Sequence, residues 1–546
     1  MKNTLKDIIL SLIIGGTSLL SGCNHQTENS IIQNNSLEKF VILETSKSLK
    51  RPTNPQNIVL ILLDDVGKDM VRTYDDEFNN PPNPSYPTNT TPVIDYLAEN
   101  GLTFRNMWVS PMCSPTRAQI LTGKPNLRTG IGTTVQLNLP ITNGAGLQPS
   151  QEIIPTVLVG SESRPYASIV VGKWHLADAS QSVLHPLGSL NNPWFNSYAG
   201  AMNNIGSFPG GNNNHFLKYL MGETLPQGID DCIPPAGGYC ETIVDGTFSS
   251  VDTTDDAITA IKQLPEPFFI YFTPHAPHSP IDEPNTVPQE SFCQCSEGVI
   301  HGDINYIFTG QPSEDTRTML QIVDNDLGRL VCAIETDPQK PILPTTIMVI
   351  GDNGTTPEAI VPPFNPEHGK GTLYQGGINV PFIVYSPIVN PNLRGTTTDA
   401  LVSATDIYAT MAEIARAPLP DDPYNLRDSR SFLRVLTGHS VGERSYVYSE
   451  SFRRNFAPTQ SGVPPSYYQP LDHQQAVMGE DGYKLIRRSS EGPSGTITQF
   501  ELFGPGDLYE ETDLMDKVRN RVEPYVTKYK TLIEVIKEKY PPLIQD

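Results

Sequence analysis

Four uninterrupted apolar runs constrain this 546-residue chain more than any other feature. They are Ile58-Val59-Leu60-Ile61-Leu62-Leu63, Ile169-Val170-Val171, Phe268-Phe269-Ile270-Tyr271-Phe272 and Ile347-Met348-Val349-Ile350. A strand with one wet face alternates apolar and polar residues; a strand covered on both faces by helices does not. The runs therefore predict buried parallel strands of an α/β sheet. Each run also ends in polar or ionisable residues: Asp64-Asp65, Lys173-Trp174-His175, Thr273-Pro274-His275, and Gly351-Asp352-Asn353-Gly354. Open α/β sheets hold their ligands beyond the carboxyl ends of the strands, so these four clusters are the candidate site.

Helical spacing lies between the runs. Met319, Leu320, Val323, Leu327, Leu330 and Val331 recur along 313–334, with Ser313 in a capping position. Residues 404–412 have the same character. The Gly- and Asn-rich stretch 199–215 reads as a long loop, and loops at this edge shape pockets. After about residue 440, short runs at 475–479 and 483–486 join across Asp481-Gly482, a hairpin signal, and 527–540 reads as a terminal helix.

Asp64, Asp65, Asp352 and Asn353 form an all-oxygen set suited to a hard divalent cation, because adjacent carboxylates repel unless a cation joins them. Ca²⁺ and Mg²⁺ are both compatible with these ligands, which alone do not decide between them. A second segment, Cys113-Ser114-Pro115-Thr116-Arg117, continues through Ala118, Ile120 and Leu121 to Gly123. Ser114 reads as an N-cap, Pro115 as the first helical residue and Gly123 as the stop. Cys113 then stands at a helix N-terminus, where the dipole favours an anion, with Arg117 one turn further in.

The stretch from Thr91-Pro92-Val93-Ile94-Asp95 through Cys113-x-Pro115-x-Arg117 to Leu121-Thr122-Gly123 resembles the signature of the sulfatase family. The segments at Lys173-Trp174-His175, Pro274-His275-Ala276-Pro277 and His368-Gly369-Lys370-Gly371 resemble sulfatase motifs too. Gln375 before Gly376-Gly377 departs from the usual glutamate. The resemblance runs from about residue 56 and weakens toward the C-terminus.

It implies a large mixed, mostly parallel sheet sandwiched by helices, with a smaller C-terminal subdomain of antiparallel sheet plus helix. It implies that a maturation enzyme oxidises Cys113 to formylglycine, whose hydrate is the nucleophile and joins Asp64, Asp65, Asp352 and Asn353 around Ca²⁺. Arg117 and Lys173 would orient residue 113, and Lys173 and Lys370 would hold the sulfuryl oxygens. His275, with Lys370, would be the general acid and His175 the base. His278 and His368 fall off the matching positions. The implied activity is hydrolysis of aryl or carbohydrate sulfate esters. The competing activities are a phosphate or phosphonate ester hydrolase of the same superfamily, and an inactive surface protein that binds sulfated glycans.

The net charge of −22 argues against a nucleic-acid partner and requires any anion site to be locally positive. Lys2 and Lys6 precede an apolar run at 8–20, too short to span a bilayer, that leads into Leu20-Ser21-Gly22-Cys23. That ending resembles a bacterial lipobox, so residues 1–22 read as a lipoprotein signal. Cys23 reads as an acylated N-terminus that anchors an exported protein to the envelope. Asn24 favours the outer membrane. Residues 23–55 are a tether, 56–440 the catalytic domain and 441–546 the C-terminal subdomain. The remaining cysteines, Cys232, Cys240, Cys293, Cys295 and Cys332, number five, so at least one stays unpaired and the pairing is open.

Overall fold

The computed structural model describes the chain from residue 55 to 544, except 79–90, 137–144, 190, 223–237, 286–291, 296–297, 302–305, 337–340, 361–363, 424–426, 440–443, 466–467, 469 and 493–494. The signal segment, the tether, Cys23 and Cys232 lie outside the described residues.

Ten strands form one sheet: β1 (Asn57–Leu63), β2 (Leu102–Trp108), β3 (Ala167–Gly172), β4 (Ser197–Gly200), β5 (His215–Met221), β6 (Tyr239–Asp245), β7 (Phe268–Thr273), β8 (Thr345–Gly351), β9 (Phe382–Tyr385) and β10 (Thr396–Ser403). Their order is β10-β2-β9-β8-β1-β7-β3-β4-β5-β6. The four apolar runs are consecutive neighbours, β8-β1-β7-β3, all parallel. Only β5 and β9 run against the rest.

The unbroken apolar pattern follows from cover on both faces. Ile58, Leu60 and Leu62 pack on one side with α2 (Cys113–Thr122) and α5 (Asp406–Ala415). Val59, Ile61 and Leu63 pack on the other with α1 (Pro92–Glu99), α3 (Ser249–Gln263) and α4 (Pro312–Glu335). All six side chains are fully buried, each contributing about 1.5–3 kcal/mol of hydrophobic stabilisation.

Two local expectations shift. The 313–334 helix begins one residue earlier at Pro312, with Gln311 as N-cap in place of Ser313, because proline is preorganised for the first helical position. The 199–215 stretch is a loop only from residue 201, since 197–200 is β4 and His215 opens β5.

The C-terminal part forms a four-stranded antiparallel sheet, β11 (Tyr446–Arg453), β12 (Asp472–Gly479), β13 (Lys484–Gly492) and β14 (Gly495–Phe503). The Asp481-Gly482 turn joins β12 to β13, with Gly482 at φ +79°. One face of this sheet packs on α6 (Tyr525–Lys539) through Leu532, Ile533 and Ile536. Its other face packs on Trp108, Leu373 and Ile378 of the large layer. Cys240 and Cys332 are disulfide-bonded, and their pairing falls outside the described residues.

Candidate active site

The strand order brings three of the four polar clusters together in one connected set of contacts at the carboxyl edge of the sheet. Asp64-Asp65 follows β1, Asp352-Asn353 follows β8 and Lys173-Trp174-His175 follows β3. His275, after β7, stands on a neighbouring loop. Asp65 (φ +65°) and His175 (φ +60°) both adopt left-handed backbone conformations. For residues other than glycine this costs of order 1–3 kcal/mol and is characteristic of sites where the surroundings dictate direction.

Cys113 is the first residue of α2, and Gly123 ends that helix at φ +68°. The N-cap is Met112 rather than Ser114, and Pro115 is the third helical residue. Ser114 is drawn away from capping because its hydroxyl accepts a hydrogen bond from the Val135 amide at 3.0 Å. Cys113 nevertheless stands at the positive end of the helix. Its Sγ lies 3.5 Å from Asp64 Oδ1, and burial, ahead of all charges nearby, pushes its thiol up.

Fixed charges surround it. Arg117 donates to Asp64 Oδ2 (3.2 Å), to Asp352 Oδ2 (2.9 Å) and to the Lys173 carbonyl (2.9 Å). Lys173 Nζ reaches Asp64 Oδ2 at 2.5 Å, and Lys370 Nζ reaches Asp65 Oδ1 at 2.5 Å. The Asp65 amide donates to Asp352 Oδ1 at 3.2 Å. Burial would raise the Asp64 pKa, but Lys173, His278, Arg117 and Lys370 outweigh it and hold the carboxyl well below the usual range. Asp352 goes the other way: burial and then the Asp64 charge push it up to about 7 against Arg117 and Lys173. Burial would lower the Lys370 pKa, but Cys113, Asp65 and Asp64 raise it above an ordinary lysine.

The donor set fits a divalent cation. Asn353 Nδ2 donates to Asp65 Oδ1 at 2.8 Å, while its Oδ1 is buried with no hydrogen-bond partner. A buried amide oxygen without a donor costs about 1–3 kcal/mol unless something positive meets it. Its own amide bonds the Asp65 carboxylate and Asp352 precedes it in the chain, a hard-oxygen environment. Three carboxylates and three fixed cations balance to zero, so a divalent cation would leave the pocket net positive within a chain of charge −22.

The histidines divide. His175 is buried with neither ring nitrogen hydrogen-bonded; burial, then Lys173 and Arg117, hold its pKa well below the usual value. His275 donates from Nε2 to the Asn203 carbonyl at 3.2 Å and leaves Nδ1 without a partner; burial lowers its pKa to about 3. His368 stacks on Tyr374 at 3.6 Å between ring centroids and bonds the Tyr509 carbonyl, a packing role. His278, which falls off the matching position, lies close by: one of its ring nitrogens, with Asp64, Asp65 and Cys113 donor atoms, forms a group lying within 4.8 Å of one another.

A family model described as Sulfatase matches residues 56–417. The chain belongs to the sulfatase family. It is accordingly a sulfuric ester hydrolase. N-acetylgalactosamine-6-O-sulfatase of Bacteroides thetaiotaomicron is 26% identical over 578 residues, covering 95% of this chain and 100% of that one. Human arylsulfatase A is 26% identical over 426 residues, covering 72% of this chain and 70% of its own length. Among solved structures, BT4656 in complex with its substrate D-glucosamine-2-N,6-O-disulfate superposes with a TM-score of 0.59 at 17% identity, covering 89% of this chain and 97% of that one. That structural likeness supports the α/β fold.

This sulfatase also uses residues that no sequence pattern flagged. Thr355 is fully buried and accepts from the Gly67 amide (3.1 Å), donates to Asp69 Oδ1 (2.6 Å) and offers its carbonyl to the Lys370 amide (2.8 Å). It thereby ties the Asp65 loop to the Lys370 loop. The Ala201 and Met202 carbonyls accept from the Trp174 and His175 amides at 3.0 Å each. Gly354 is required by close approach, since a Cβ there would lie 1.7 Å from the Gly376 carbonyl oxygen.

Proposed function

We propose that this sulfatase hydrolyses sulfate esters of carbohydrates, with residue 113 as formylglycine and one bound Ca²⁺. What supports this best is the convergence on Cys113 of three carboxylates, three fixed cations and an unpartnered buried Asn353 oxygen. The Bacteroides relative named as an N-acetylgalactosamine-6-O-sulfatase, aligned over nearly the whole chain, supports the carbohydrate class.

Asp64, Asp65, Asp352 and Asn353, with residue 113, would hold the cation, which supplies Lewis-acid neutralisation of sulfuryl oxygens. The formylglycine hydrate supplies one hydroxyl for attack at sulfur and a second for release of sulfate. The other steps belong to side chains in place. Lys173 and Lys370, at the positive end of α2, stabilise negative charge on the sulfuryl group. Arg117, one turn beyond residue 113, fixes Asp64, Asp352 and the Lys173 carbonyl, and so positions the groups that orient residue 113. Asp352, held by Arg117 at 2.9 Å, would accept a proton from the attacking group. The departing oxygen needs a donor; Lys370 carries its proton firmly, while His275, whose one ring proton is on the Asn203 carbonyl, would donate only after taking up a second proton at Nδ1. His175, held neutral, is the base for the release step.

Screening the matured protein against sulfated mono- and oligosaccharides beside an aryl sulfate tests this. Release of sulfate from a carbohydrate ester is expected; hydrolysis of phosphate or phosphonate esters alone would overturn it. We also propose attachment to the bacterial envelope through lipid on Cys23, supported by the apolar run at 8–20 and Ser21-Gly22 before the cysteine. Wild type is expected in the detergent phase on partitioning, and Cys23→Ala in the aqueous phase; aqueous wild type would contradict it.

A further inference from the structure

The three fixed cations of the site are held in different ways. Arg117 on α2 and Lys173 after β3 are 0% exposed and pinned to Asp64 at the sheet edge. Lys370 stands on the long loop between β8 and β9, is 15% exposed, and meets Asp65 with its ammonium. Two consecutive residues of the C-terminal subdomain hold that loop on either side of Lys370. Before it, His368 Nδ1 donates to the Tyr509 carbonyl at 3.1 Å, since a carbonyl can only accept. After it, the Gln375 amide, at the start of the short helix Gln375–Ile378, donates to Glu510 Oε2.

The hold on Gln375 is a built one. Glu510 is 4% exposed and sits at φ +55°, a conformation a residue with a side chain adopts where its surroundings dictate direction. The Asp507 carboxylate fixes the turn around it, accepting from the Glu511 and Thr512 amides at 3.1 and 3.0 Å. The other oxygen of Glu510, Oε1, pairs with Lys484 Nζ of β13 at 2.6 Å, with both side chains 2% exposed. One carboxylate therefore spans from the C-terminal sheet to the Lys370 loop. That loop has little slack. A Cβ at Gly377 would lie 2.2 Å from the Thr372 carbonyl oxygen and 2.6 Å from that of Gly369. A shift at Gln375 is passed on to Lys370 and not absorbed.

We infer that Glu510 is a positioning residue for Lys370: by holding the Gln375 amide it sets where the Lys370 ammonium meets the sulfuryl group and the departing oxygen. This rests on the sulfate ester hydrolase function proposed above. The large sheet supplies the other charges of the site, and the C-terminal subdomain places this one. Misplacement of a reacting group by about 1 Å costs on the order of 100-fold in rate. The loss depends on the leaving group, because an alkyl alcohol needs the proton that Lys370 carries and a 4-nitrophenolate departs without it.

The test compares matured wild type, Glu510→Ala, Lys370→Ala and the double variant on N-acetyl-D-galactosamine 6-sulfate and 4-nitrophenyl sulfate, with rates normalised to folded protein. Glu510→Ala is expected to lower kcat/KM about 100-fold on the sugar ester and less than about tenfold on the aryl ester. In the Lys370→Ala background the same substitution should cost less than about twofold, since the two residues act as one. Gln375→Pro repeats the measurement should Glu510→Ala fail to fold. It deletes the N–H at a first helical position, where proline is tolerated, and keeps the Glu510–Lys484 pair. Glu450→Gln, in the same C-terminal sheet, should leave the ratio between the two esters at its wild-type value. Equal losses on both esters, or an undiminished loss in the Lys370→Ala background, would overturn the inference and leave Glu510 a structural residue. Calorimetry of inorganic sulfate on Cys113→Ala protein gives a readout without turnover: Glu510→Ala should weaken binding about as much as Lys370→Ala, and an unchanged affinity overturns the inference. Wild type inert on every sulfate ester, with that matched weakening intact, would instead count against the hydrolase.

Discussion

Two buried clusters of charge in this molecule have similar ingredients and opposite finish. At the C-terminal sheet, Glu450 accepts from the Leu127 amide (2.7 Å), from His473 Nε2 (3.0 Å) and from the Tyr448 hydroxyl (3.0 Å). His473 Nδ1 accepts in turn from the Leu543 amide at 2.9 Å, and Arg487 donates to Gln475 and to the Ile544 carbonyl. Every oxygen and ring nitrogen of the Glu450–His473 pair has a partner. At the carboxyl edge of the large sheet, Asn353 Oδ1, both nitrogens of His175 and Nδ1 of His275 have none. Two residues there hold left-handed backbone, and Asp352 is pushed up to about 7. The first cluster is finished by the fold and stitches the C-terminal tail and the segment after α2 to the sheet. The second is left incomplete for something the chain does not supply. Partner satisfaction, rather than charge or burial, separates structure from chemistry here.

Substitutions should split along that line. The largest effect is expected at residue 113: Cys113→Ala should lower sulfate ester turnover by about 10⁴-fold or more while thermal stability stays near wild type, because only a small side chain is lost. Retained turnover would erase the contrast. In the finished cluster, Glu450→Gln should cost about 1–3 kcal/mol of stability in denaturant unfolding, because the new NH₂ faces groups that donate, with kcat per folded molecule unchanged.

His185 extends the comparison to pH. Its Nδ1 accepts from Trp174 Nε1 at 2.8 Å and its Nε2 bonds the Leu147 carbonyl at 2.6 Å, so only the neutral ring fits. Burial lowers its pKa from 6.5 to about 4. The unfolded chain binds the proton first as pH falls. Stability from this residue is therefore complete above pH 6.5 and is lost progressively between 6.5 and 4, by about 3 kcal/mol. Unfolding measured across that window should show the loss, and His185→Gln should flatten it. Asn353→Ala should show the smallest change: Ca²⁺ affinity by calorimetry weaker by about 10–100-fold, with metal-free stability lower by about 1 kcal/mol because the Nδ2 bonds to Asp65 Oδ1 and the Gly354 carbonyl are lost. An unchanged affinity would remove Asn353 from the ligand set.

Much of the site was legible because parallel strands are written as unbroken apolar runs whose ends cannot hide their polar residues. Asp64, Asp65, Lys173, His175, His275, Asp352 and Asn353 all follow such runs, and the runs proved to be neighbours. The far edge of the sheet was not legible. In β5, Lys218 occupies an inward position between Phe216 and Leu220, and its ion pairs with Asp252 (3.0 Å) and Asp256 (2.6 Å) make that burial tolerable. Those partners lie far away in sequence, so the alternation looked broken. His278 was missed for another reason: it lies three residues beyond the strand-end His275, and only the turn over Ala276-Pro277 returns it to the cluster. Ser114 looked like a cap because a hydroxyl beside a helix start usually is one; the Val135 amide claims it instead.

The most direct test is the chemical state of residue 113 in active protein. Peptide mass spectrometry of the segment containing it should show –CHO in place of –CH₂SH, in a proportion that tracks specific activity across preparations made with and without a formylglycine-generating enzyme. Full sulfate ester turnover by protein carrying only the unmodified thiol would contradict the mechanism.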